Sequence, residues 1–218
     1  MTTKHLTTLL TIPLLGIVLS AQAPKTQALL MAIGANGKQM TTYQWKQKTT
    51  IIRNGNPAGF KIEEVRFDAT GQPQRITISQ SEEKKMGPLR AHKAAEIKDD
   101  VQEVMHLAAR YANPRELAQA IQKGEIWDEQ GTLRLHSRSV ILPTDDITMS
   151  INGATYLAYR VDVQTQHEGS PVSIGIDYQQ LPGGPSMMSR MTVRIPKDNI
   201  VVDVDSYDFV RLASSNLR

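Results

Sequence analysis

Apolar residues fall at every second position through most of the carboxy-terminal half of this chain, and that alternation leaves little choice of fold. Leu133 and Leu135 alternate with Arg134 and His136, and Ile147, Met149 and Ile151 follow. Leu157, Tyr159, Val161 and Val163 read as one face of the next segment, with Tyr156, Arg160 and Asp162 on the other. Val172, Ile174, Ile176 and Tyr178 repeat the pattern, as do Met191, Val193 and Ile195, and then Ile200, Val202 and Val204 against Asp203 and Asp205. A period of two is the signature of β-strands with one buried face. The connections are short and rich in turn formers, such as Asn152-Gly153 and Leu181-Pro182-Gly183-Gly184-Pro185. Strands joined this closely pair antiparallel.

The amino-terminal half opens with helical spacing at Leu29, Leu30 and Ile33, predicting a short helix over Gln27 to Met40. Tyr43 and Trp45 then face one way and Gln44 and Lys46 the other, in a strand that continues to Arg53. Asn54 to Gly59 reads as a hairpin loop, Phe60 to Phe67 as the return strand, and Arg75 to Ile78 as a third strand after the turn Asp68 to Gly71. Ser81 to Arg90 is a charged loop. Ile97, Val101, Val104, Met105, Ala108 and Tyr111 mark one face of an amphipathic helix over Ala91 to Ala112. Asn113-Pro114 interrupts it, and Arg115 to Lys123 forms a second helix ended by Gly124, so 91–123 is a helical insert. The expected order is a helix, about three strands, two helices and about six strands. That is an α+β domain: a curved antiparallel sheet, a half-barrel, covered on its concave side by the mid-chain helices.

The first residues carry an address. Lys4 and His5 precede a largely apolar run from Leu6 to Leu19, and Ser20-Ala21-Gln22-Ala23 ends it in an A-x-A pattern. This is the layout of a secretory signal peptide over 1–23, followed by a single domain over 24–218. Pro24 is unfavourable just after a cut, so cleavage a few residues away, as after Ala28, is the alternative. A membrane anchor needs about 20 apolar residues. This run is shorter and broken by Thr7, Thr8, Thr11 and Pro13, so no stable anchor is expected after cleavage. The expected location is the periplasm or the exterior.

Composition excludes several functions. The chain has no cysteine, which removes disulfides, thiol catalysis, iron–sulfur clusters, cysteine zinc sites and lipid attachment through cysteine. Its 25 basic residues are nearly balanced by 22 acidic ones, and no Lys/Arg run follows a phosphate backbone, so nucleic acid is not an expected partner. His5, His92, His106, His136 and His167 show no i, i+4 pair and no HExxH, so no metal ligand is assigned. Asp203 and Asp205 project from one strand face roughly 7 Å apart, a spacing open to paired-carboxylate chemistry, to calcium, or simply to a solvated face. Asp145-Asp146 reads as a turn. The nearest approach to a nucleophile elbow, Gly184-Pro185-Ser186-Met187-Met188, lacks the final glycine. No phosphate-binding glycine loop is present, and no catalytic residue or cofactor is assigned.

Methionine suits irregular apolar spaces. Met187, Met188 and Met191 near the Gly/Pro loop, Met105 and Met149 on apolar faces, and the strand aromatics Tyr43 and Trp45 are therefore candidate lining residues of an apolar cavity. Ordinary core filling is the competing reading for each of them. Lys93, Glu96, Lys98 and Asp99 read as the solvated face of their helix.

This layout resembles the LolA-like superfamily of periplasmic lipoprotein carriers: an opening helix, a strand like Tyr43-Gln44-Trp45-Lys46-Gln47, and a sheet closed by helices inserted in mid-chain. The resemblance covers nearly the whole mature chain, is one of architecture, and brings no ligand residues with it. Tyr43 to Arg75 and Leu181 to Val193 also resemble uncharacterised exported bacterial proteins, a likeness that implies no activity. The carrier resemblance implies a non-enzymatic exported domain that binds an apolar ligand, a lipid or a lipidated protein, between sheet and helices. The alternative is an envelope protein-interaction or sensing domain without a cavity, and a remote third reading is an unrecognised hydrolase. An apolar pocket of several hundred Å³ is expected of a carrier, whereas a packed core favours the interaction domain.

Overall fold

A computed structural model describes residues 18–68, 70–81 and 88–212. Residues 1–17 of the expected leader and 82–87 of the charged loop lie outside the described residues. The elements run α1 (Val18–Met40), β1 (Tyr43–Arg53), β2 (Asn56–Phe67), β3 (Pro73–Gln80), α2 (Pro88–Tyr111), α3 (Pro114–Lys123), β4 (Glu125–Glu129), β5 (Thr132–Arg138), β6 (Asp146–Asn152), β7 (Ala158–His167), β8 (Ser170–Gln180), β9 (Ser186–Ile195) and β10 (Ile200–Arg211). The strands form one sheet in the order β3-β2-β1-β10-β9-β8-β7-β6-β5-β4, open at both edges. Every neighbouring pair is antiparallel.

The topology is two meanders joined in the middle. β1–β3 and β4–β10 meet where β1 pairs with β10, and α2 and α3 carry the chain from one edge strand to the other. Local chemistry sets the hairpins. Asn54-Gly55, Gln130-Gly131 and Glu168-Gly169 each hold two successive positive φ angles, the two-residue turn whose twist matches that of the flanking strands. The return strand β2 accordingly begins at Asn56, earlier than the loop read from the sequence. Asn113 caps α3, its side chain accepting from the Arg115 N–H at 2.9 Å, and Pro114 occupies the first turn.

Three expectations are revised. α1 begins well before Gln27 and runs through Pro24. β4 is an extra strand that the alternation missed, because its only inward apolar residue is Ile126 while Trp127 is exposed. Tyr159 does not share the buried face of Val161 and Val163. Ile151 pairs with Ala158 and Ser150 with Arg160, so Tyr159 is the extra residue of a bulge, and it lies 44 % exposed.

One core unites all three helices with the strands of the longer meander. Leu29 and Ile33 of α1, Val104, Ala108 and Tyr111 of α2, and Leu117 and Ile121 of α3 belong to one buried cluster with inward residues of β4–β10, among them Leu135, Met149, Ile176 and Val204. The face of the sheet bearing these residues is called the inner face below. Gly124 shows how closely α3 meets the sheet. A Cβ there would stand 2.8 Å from the Ala120 carbonyl oxygen and 3.0 Å from that of His136, both backbone atoms. Gly124→Ala is therefore expected to cost about 2 kcal/mol through overpacking, read as a lowered Tm with an unchanged far-UV spectrum.

Candidate functional site

The seven candidate lining residues divide between two places. Met149 and Met191 are buried in the main core, and Met105 and Met188 pack against it. Tyr43, Trp45 and Met187 belong instead to a second, smaller cluster with Val65, flanked by Met40, Phe67, Leu181 and Phe209. No described residue of α2 or α3 belongs to this cluster. Its floor is the β1–β2 pair, where Trp45 lies opposite Val65, and the Trp45 and Phe67 rings are tilted with centroids 5.7 Å apart. The carboxy-terminal end of α1 is fastened beside it by a reciprocal pair: Asn36 donates to the Ser186 carbonyl at 2.9 Å and accepts from the Ser186 N–H at 2.7 Å.

Next to this cluster the inner face turns polar, a feature the sequence reading missed. Gln47 lies opposite Glu63 on β2 and opposite Ser206 on β10, and all three are buried. Lys61 Nζ approaches Glu63 Oε1 at 2.6 Å. Arg75, opposite Val65 on β3, donates through Nη1 to Gln47 Oε1 and lies 3.5 Å from Glu63 Oε2. Gln47 Nε2 donates to Ser206 Oγ at 3.4 Å. Two cations thus share one buried carboxylate, and their side chains are 42 % and 45 % exposed, at the rim of the cluster. Burying a carboxylate is tolerable only when it is paired and hydrogen-bonded in this way.

A second buried carboxylate serves the frame. Asp145, read from the sequence as a turn residue, is 3 % exposed. Its Oδ2 accepts from the N–H groups of Ile141 and Leu142 at 2.8 and 2.7 Å. Its Oδ1 accepts from the Tyr111 hydroxyl at 2.5 Å and from Thr165 Oγ1 at 2.7 Å. Burial, followed by the neighbouring Asp145, holds the Tyr111 phenol above the ordinary tyrosine range. The signal was Tyr111 itself, which ends an apolar helix face with a hydroxyl that requires a partner when buried.

Asp203 and Asp205 each have a partner on β9: Thr192 Oγ1 donates to Asp203 at 2.7 Å and Arg190 Nε to Asp205 at 2.8 Å. Among the described residues no three His, Asp or Glu side chains are grouped to hold a metal ion, and no helix is long and apolar enough to cross a membrane. A concavity between α2 and the β7–β8 turn, lined by Val104, His167, Val172 and Ile195 among others, holds about 10 Å³. A shallow one of about 300 Å³ is lined by Glu129, Gln130, Thr132 and Arg134 and is polar. The space between the longer meander and the helices is packed, with Leu135, Met149 and Ile176 fully buried.

No family model matches the chain, and no curated protein matches it. Solved structures with a related layout include a putative outer membrane lipoprotein-sorting protein domain from Vibrio parahaemolyticus, at TM-score 0.45 and 8 % identity, covering 90 % of this chain and 95 % of that one. A DUF1329 family protein from Desulfovibrio piger stands at TM-score 0.44 and 9 % identity, covering 89 % and 95 %. The LolA superfamily protein NE2245 from Nitrosomonas europaea stands at 0.40 and 11 %, covering 86 % and 93 %.

Proposed function

We propose that this is an exported, non-enzymatic carrier domain that takes the apolar chain of a lipid or lipidated protein against the β1–β2 end of its sheet. One observation carries this reading: the aromatic and methionine cluster of Tyr43, Trp45 and Met187 stands apart from the helix-packed core. Its boundaries are the end of α1 and the β8–β9 loop residue Leu181. Adaptable methionines at Met40 and Met187 suit a space that reshapes around a chain. The smaller cluster is closed as well, with Val65, Met187 and Trp45 0 %, 1 % and 8 % exposed, so a chain enters it by displacing the covering Met40 and Leu181. The test is mass spectrometry of lipid extracted from protein exported with its own leader and purified without detergent. Near-stoichiometric lipid or fatty acid is the expected result, and a clean extract overturns constitutive binding.

A protein-interaction role is the second reading, favoured by the packed main core and by β3. All eight residues of this edge strand are exposed, and Ile76 and Ile78 are 48 % and 53 % exposed. A free edge with apolar side chains is a template for strand addition. Replacing Ile76 and Ile78 by lysine abolishes partner capture if that reading holds, and leaves lipid content unchanged.

A further inference from the structure

We infer that the rim formed by Arg75 and Lys61 binds the anionic head, carboxylate or phosphate, of a single-chain amphiphile whose chain takes the place of Met40 and Leu181 over the buried Trp45 and Val65. The inference rests on the carrier reading and names its ligand class. The register of the sheet supplies the geometry. Arg75, Val65 and Trp45 occupy one row across β3, β2 and β1. Glu63 and Gln47 occupy the next row, with Ser206 on β10. Lys61 and Thr49 occupy the row after that. Alternate rows on one strand face are about 7 Å apart, so a head group at the cations sits within one row of the aromatic floor. The inner face is thus apolar, then charged, over a distance matched to the junction of an acyl chain with its head.

Charge selects the sign of that head. Lys61 and Arg75 together carry two positive charges against the single negative charge of Glu63. The buried carboxylate fixes both cations in place, and among these three described side chains one positive charge is in excess. Arg75 uses Nη1 for Gln47 and Glu63, while its side chain stays 42 % exposed. A guanidinium held from one side presents its remaining donors to an oxyanion in a geometry that suits carboxylate and phosphate alike. A neutral head leaves those donors without a matched charge.

Calorimetric titration below the micellar concentration tests this with four probes: decanoate, decyl phosphate, decanol and inorganic phosphate. Both anionic amphiphiles are expected to bind about tenfold more tightly than decanol, the scale of one charge-assisted contact. Arg75→Gln and Lys61→Gln each remove most of that preference, whereas Lys48→Gln, on the opposite face of β1, keeps it. Thermal melts of the variants confirm that each is folded, and having two rim variants keeps the test valid if one fails to fold. Equal affinity for decanoate and decanol overturns the inference and leaves the carrier reading standing. Failure of every chain-bearing probe overturns both. Inorganic phosphate binding as tightly as decyl phosphate also overturns it, because the rim is then a site for the free ion alone.

Discussion

Asp145→Ala is expected to destabilise the fold by about 4 kcal/mol. The carboxylate accepts four hydrogen bonds, two from backbone N–H groups of the β5–β6 loop and two from the hydroxyls of Tyr111 and Thr165. It therefore ties the end of α2 to β7 and to that loop at once. Alanine leaves all four donors without their acceptor, and each buried orphan costs about 1–3 kcal/mol before water reaches the more exposed ones. Tyr111→Phe removes a single donor and leaves the loop intact, so its cost is about 1 kcal/mol. Urea titration checks both variants, and a loss below about 1 kcal/mol for Asp145→Ala sinks the argument.

The same knot sets an alkaline limit. The folded pKa of Tyr111 is raised, first by burial and then by Asp145, and that of Tyr178 is raised by burial. A raised folded pKa contributes stability that is complete below the unfolded value, about 10 for tyrosine, and is lost as pH climbs past it. Stability is thus expected to fall above about pH 10, and less steeply in Tyr111→Phe, which has one such phenol fewer.

Much of the architecture is visible in residue order because it is local. Alternation marks the inward face of β5, β6, β8, β9 and β10, and turn chemistry marks the hairpins. The pairing of β1 with β10 joins Thr49 to Val204 across the length of the chain, and no local pattern encodes it. The polar row was hidden for a sharper reason. Counted from the Asn54-Gly55 turn, Arg53 faces Asn56 and Ile52 faces Pro57, a register that puts Gln47 opposite Ile62. One extra residue, Ala58, shifts the pairing so that Ile51 meets Gly59 and Gln47 meets Glu63. A one-residue shift exchanges the two faces of a strand, and here it brings Glu63 and Lys61 inward and sends Ile62 outward. Tyr159 is displaced by the same kind of bulge on β7. In both cases the irregularity decides which side chains face inward, and alternation alone does not reveal where it falls.

Trp45→Ala and Met149→Ala are expected to cost similar stability and to differ in ligand content. Each removes a large buried side chain, a loss of about 3 kcal/mol by transfer and cavity terms together. Trp45 is the floor of the smaller cluster, packed on Phe67 and opposite Val65. Met149 lies in the main core, fully buried among strand and helix residues. If an apolar chain lies on the β1–β2 end, Trp45→Ala loses bound lipid and the binding of decanoate, while Met149→Ala keeps both. The two proteins are compared at a temperature well below either midpoint, so that unfolding does not enter the measurement. Loss of lipid in Met149→Ala with retention in Trp45→Ala moves the site beneath α2 and α3, where the packed core must then open to admit a ligand. Because the stability penalties match, a difference in lipid content reports where the chain lies and not how firmly the fold is held.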